Sequence, residues 1–154
     1  MAEMNMNEFN EKMQRWAAKF PVEAERALKR AAGDVRGEAV TKHLSGPTSS
    51  TTLSRRSGDL ANSITTSVRR SGGRMVAEIG NLKKPLPYAR IHEYGGTIRP
   101  KKGTFLKFEI GGKTIFAKEV KIPERSYLRS SLKAKRQSIV SIITRAMRES
   151  YYDA

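Results

Sequence analysis

The sequence predicts an α+β domain: N-terminal helices, a central, mainly antiparallel β-sheet of about four to five strands, and a long C-terminal amphipathic helix. Three observations predict it. Apolar residues recur at helical spacing over residues 7–39. They do so again beyond Arg125. Between the two stretches, short alternating segments are punctuated by glycine pairs, the pattern of hairpins. Helix, sheet, helix in that order describes one α+β layer architecture, and 154 residues fit a single domain, 1–154.

The first helical stripe is Phe9, Met13, Trp16, Ala17 and Phe20, with Asn7 as its expected cap. Pro21 interrupts it, and a second set follows on one face: Ala24, Ala27, Leu28, Ala31, Val35 and Ala39. Proline suits a first helical position, so one bent helix and a helix pair both remain open. Residues 45–58, SGPTSSTTLSRRSG, are poor in apolar side chains and read as a flexible basic loop carrying Arg55 and Arg56. The loop is either an arm that orders in an assembly or a plain connection.

Asp59 to Ile64 predicts a short helical turn. Residues 64–70 and 74–79 alternate around Ser71-Gly72-Gly73, which predicts a hairpin. A stiff basic segment, Lys83-Lys84-Pro85-Leu86-Pro87, leads into a short helix at 88–94 that Gly95-Gly96 ends. Strands around 105–110 and 113–118 flank Gly111-Gly112, a second hairpin turn, and Ile122-Pro123 closes the sheet region. In the last helix Leu128, Leu132, Ile139, Ile142, Ile143 and Met147 form the stripe, with Lys133, Lys135, Arg136, Arg145 and Arg148 mostly on other faces. That stripe is expected to cover one face of the sheet.

Charge is the strongest compositional signal: the net formal charge is +15. Residues 1–50 hold eight Lys/Arg against seven Asp/Glu, whereas residues 51–154 hold twenty-two against eight. Such a surface attracts polyanions, whether nucleic acid or an acidic protein face; a merely solvated surface is the plainer alternative. The mean hydropathy of −0.58 implies a modest core, finished against a partner. Without cysteine the chain forms no disulfide and no thiolate metal site. No apolar run reaches the length of a membrane span, and the polar, acidic stretch Met1–Asn10 does not read as a signal peptide.

Catalytic patterns are weak. His43 falls near a predicted helix end, where a cation suits the dipole. His92-Glu93 lacks the second histidine four residues on that a zinc protease needs, because position 96 is glycine. There is no Gly-x-Ser-x-Gly elbow, and no glycine pair is followed by the Lys-Ser/Thr of a phosphate loop. The expectation is therefore no enzyme, no cofactor and no metal. The aromatics are not interleaved with basic residues as in a base-stacking platform.

Four segments carry a resemblance. Tyr88-Ala89-Arg90-Ile91-His92-Glu93-Tyr94-Gly95-Gly96 resembles the Y-A-x-x-x-E-x-G signature of tailed-bacteriophage tail-completion and minor-tail-component proteins. Gly58, Leu60, Ser63 and Ile64, within Ser57–Ile64, resemble that family's [ST]-G-x-L-x-x-S-I segment. Lys101-Lys102-Gly103 with Leu106-Lys107-Phe108 resembles its basic turn and strand. Ile122-Pro123-Glu124-Arg125-Ser126-Tyr127-Leu128 resembles its [IV]-P-x-R-x-[YF]-[LM] segment, except that Ser126 stands where the family usually has proline.

The resemblance implies a structural virion protein, made in the host bacterial cytoplasm. It would form a six-fold or twelve-fold ring at the neck, completing the tail or joining it to the head. Its partners would be copies of itself, adjacent neck and tail-tube proteins, and genome DNA in nonspecific contact, with no membrane. A tail terminator or stopper ring, and a basic nonspecific nucleic-acid-binding module, are the alternatives. The motif residues, Pro123, Arg125 and Leu128 among them, are expected mostly to maintain the fold, with Glu93 bonding backbone amides or pairing with an arginine such as Arg125. Arg55, Arg56, Lys83, Lys84, Lys101 and Lys102 are the candidate interface or channel residues, and the acidic residues of the first fifty are the candidate opposite face.

Overall fold

The computed structural model describes residues 5–54, 57–83 and 85–153. Arg55, Arg56 and Lys84 lie outside them. Helix α1 runs unbroken from Met6 to Glu38, with Pro21 inside it. The helix pair is thus excluded: proline removes one amide donor and crowds the Ala17 carbonyl, yet the pattern continues on both sides. The cap is Asn5 rather than Asn7. The Asn5 side chain accepts from the Glu8 amide at 2.9 Å while Glu8 accepts from the Asn5 amide at 3.1 Å, a reciprocal capping box.

A π-helical turn, Ala39–His43, extends α1 into the loop. Helix α2 is Asp59–Ser63, α3 is Pro87–Tyr94 and α4 is Leu128–Tyr152. The strands are β1 Thr65–Ser71, β2 Arg74–Gly80, β3 Gly96–Ile98, β4 Leu106–Ile110, β5 Lys113–Ala117 and β6 Val120–Ile122.

These six strands form three separate antiparallel pairs, β1–β2, β3–β6 and β4–β5, rather than one central sheet. Both glycine-pair hairpins are present. Gly72-Gly73 (φ +55° and +75°) and Gly111-Gly112 (φ +56° and +77°) take the left-handed conformations that a two-residue turn requires.

Helix α4 lies antiparallel along α1, not over the strands. Trp16 at one end donates to Ser150 Oγ at 3.0 Å, and Lys135 at the other pairs with Glu38 at 3.3 Å. It is α1 that packs against β1 and β2. Its buried residues are Ala27, Ala31, Ala32 and Val35, small side chains that permit close approach of neighbouring elements. The main buried cluster gathers where α1 ends and α4 begins: Ala39, Leu44, Ala61, Ile64 and Tyr127, bordered by Leu53, Leu60, Ile79 and Leu128.

Candidate functional site

The junction at that cluster brings much of the sequence motif together. Glu93, on α3, is only 4% exposed. Its carboxylate receives the Tyr127, Leu128 and Arg129 amides at 2.8, 2.9 and 2.9 Å, and the Ser126 hydroxyl at 2.8 Å. These are the donors that the first turn of α4 cannot satisfy internally. Tyr127 at the cap position makes no side-chain capping bond of its own, so a residue distant in sequence supplies the cap. Its charge also complements the helix dipole. Burial acts to raise the Glu93 pKa, but the Leu128, Arg129 and Tyr127 amides and the Ser126 hydroxyl together hold it below the usual carboxylate range.

The arginine at Glu93 is Arg129, not Arg125. Arg129 Nε lies 3.3 Å from the carboxylate, Nη2 donates to the Glu93 carbonyl at 3.0 Å and to Glu124 at 2.8 Å, and the guanidinium sits 4.4 Å above the Tyr94 ring. Arg125 turns instead to the loop. Its Nε donates to the Ser49 carbonyl at 2.7 Å, and its amide donates to the His92 carbonyl at 2.9 Å. The loop has further ties: the Leu53 amide donates to the His43 carbonyl at 2.8 Å, and the Ser54 amide to Thr48 Oγ1 at 3.2 Å.

Two glycines are set by geometry here. At Gly95 (φ +66°) a Cβ would stand 2.8 Å from the Glu124 amide nitrogen and 3.1 Å from the Ile122 carbonyl oxygen. Gly58 (φ +83°) starts α2 in the left-handed region. Ser63 is buried, donates to the Leu60 carbonyl at 2.8 Å and accepts from the Asn81 side chain; Ile64 is fully buried. Ala89 is also buried, Leu128 borders the core, and Pro123 is exposed.

An open cavity of about 580 Å³ lies between the loop and α3, lined among others by Leu44, Leu53, Gly58, Tyr88, His92 and Arg125. Tyr88 and His92 meet edge to face at 6.0 Å. His92 Nδ1 is buried and has no hydrogen-bond partner among the described residues. Burial, and then the Arg125 charge, lower its pKa below the usual imidazole value. No group of three His, Asp or Glu among the described residues could hold a metal ion.

Three of the candidate basic residues fall within the described residues. Lys83 is exposed between β2 and α3, while Lys101 and Lys102 are exposed in the β3–β4 connection. Much of the candidate acidic face is already engaged: Glu23 pairs with Arg26, Glu25 with Lys29 and Glu38 with Lys135, while Glu8 belongs to the capping box. Sequence reasoning missed Arg129, and it missed the use of Ser126. At the position where the resembled family usually has proline, the serine hydroxyl gives Glu93 a donor that proline lacks. It also missed Asn81, which links Ser63 to Tyr127; the Tyr127 hydroxyl stands 3.5 Å from Asn81 Oδ1.

Helix α1, the loop, α2, the β1–β2 hairpin and α3 make up the stretch that a known family model covers. The family model described as "Bacteriophage HK97-gp10, putative tail-component" matches residues 7–95, more than half of the chain. Two of the four motif segments fall within it apart from the final Gly96; the basic turn and the Pro123 segment lie beyond it. No curated protein and no solved structure matches the chain. On the extent of the family match, the chain belongs to the HK97-gp10-like family of bacteriophage tail components.

Proposed function

We propose that the chain is a structural, non-catalytic subunit of a ring at the head–tail interface of a tailed phage, where it completes the tail or joins it to the head. Family membership supports a tail component, and hence a virion protein. The observation that carries the ring reading is the apolar surface the fold leaves uncovered. Met6, Phe105, Ile110, Phe116, Val140 and Tyr152 are each more than half exposed, while the core is built largely of alanine. A chain that keeps large side chains outside and small ones inside buries the former against partners.

The partners in this reading are copies of the same chain, six or twelve of them, together with the adjoining neck and tail-tube proteins. No helix among the described residues is long and apolar enough to cross a membrane. Genome DNA is a further nonspecific contact. The outward groove of α4 presents Arg136, Arg145 and Arg148 around Val140, and guanidinium groups in such a row attract phosphates regardless of base sequence. Complementation tests the assignment. Phage lacking this chain should accumulate unjoined heads and tails, and the purified protein should restore infectious particles. Normal joined particles made without the chain would overturn it.

A further inference from the structure

Two parts of the molecule keep large apolar side chains exposed, and their chemistry is complementary. The first is the β4–β5 hairpin. Leu106 pairs with Ala117, Phe108 with Ile115 and Ile110 with Lys113, so these six share one face, on which Ile110, Lys113 and Ile115 are exposed and Leu106, Phe108 and Ala117 are half-buried. Ile110 is 61% exposed, and among the described residues the substantial element contacts of either strand are with its hairpin partner. An isolated two-stranded hairpin is marginal in water; an apolar face of this size calls for something to lie on it. The hairpin is also basic: residues 101–118 contain Lys101, Lys102, Lys107, Lys113 and Lys118 against Glu109 alone.

The second part is the start of α1. Helix α4 ends beside Lys12, Trp16 and Lys19. Lys12 lies over the Tyr151 ring at 4.5 Å, Trp16 meets Ser150, and Lys19 reaches the Asp153 carbonyl. Residues 6–11, ahead of these contacts, are all exposed. They present Met6 and Phe9 one helical turn apart, with Glu8 and Glu11 and no lysine or arginine among them.

We propose that the apolar face of the β4–β5 hairpin of one copy receives the Met6–Glu11 turns of α1 from a second copy, with Lys113, which shares that face, toward Glu11. The two surfaces belong to opposite parts of one chain and differ in kind, so the contact is head-to-tail, the type that closes into a ring. Apolar burial gives the contact its strength, and the opposite charges set its register and partner choice. The inference rests on the ring reading above and names its interface.

The absence of cysteine makes the test direct. Phe9→Cys and Ile110→Cys change exposed side chains only, so each variant should match the parent in thermal stability. Particles are assembled from equal amounts of the two full-length variants and oxidised, and copy-to-copy neighbours are recorded in parallel with a lysine crosslinker. The mixed 9–110 disulfide should exceed each self-pairing by about tenfold, because a disulfide forms only where the two Cβ atoms come within about 4.5 Å. Lysine-crosslinked copies without the mixed disulfide would overturn this interface and leave the ring standing. Absence of any copy-to-copy crosslink would overturn both. A hairpin cysteine captured by a different virion protein would also overturn the interface.

Discussion

The Glu93 carboxylate receives three α4 amides and one hydroxyl, and that arrangement has measurable consequences. Glu93→Ala should cost roughly 3 kcal/mol, because buried amides lose their acceptor; chemical denaturation of the variant measures it. The pH dependence follows from the depressed pKa. The stabilising contribution is complete above the unfolded glutamate value, about 4.3, and is lost as pH falls through the lower folded value. In Glu93→Gln that part of the acid sensitivity should disappear, which melting curves between neutral and acid pH will reveal. At Gly95, a methyl group would meet the Glu124 backbone at 2.8 Å, so Gly95→Ala should destabilise by about 2 kcal/mol or more. The sequence singled out Glu93 and Gly95 through the Y-A-x-x-x-E-x-G motif that Tyr88–Gly95 resembles. It did not mark Arg129. The helical period says which residues share a face of α4, but not that the start of α4 meets the end of α3.

The elements divide by how local their determinants are. The two glycine-pair hairpins, α3 and the existence of α4 were legible, because periodicity and turn chemistry act within a few residues. Whether Pro21 divides α1 was not, since the continuity of a helix through proline depends on what packs along both halves. The pairing of strands was not legible either. β3 finds β6 across an intervening hairpin, and three separate ladders form where one sheet was expected. The β4–β5 hairpin, like the β3–β6 pair, makes its substantial element contacts only between its own two strands. Its amides should exchange with solvent faster than those of β1–β2, which α1 covers, and should gain protection on assembly. Phe116, 64% exposed, sits on the hairpin's other face; Phe116→Ser should change the stability of the free chain by no more than about 0.5 kcal/mol.

At the scale of the whole molecule, the charge asymmetry read from the sequence persists, but its acidic side is narrower. Intrachain ion pairs engage Glu23, Glu25 and Glu38, which leaves Asp34 and, at the start of α1, Glu8 and Glu11 outside any ion pair among the described residues. Association through that end should weaken as salt rises, since exposed charges are screened beyond about 8 Å at physiological ionic strength; sedimentation across a salt series gives the trend. Helix α4, with its outward arginines, then remains for contacts beyond the neighbouring copy. The central claim is that this polypeptide closes into a ring between head and tail. A cryo-electron microscopy map of the intact particle tests it most directly. The account predicts density for α1, α4 and the β4–β5 hairpin repeated around the channel at the junction, with each hairpin against the next subunit. A junction built entirely from other chains would contradict it.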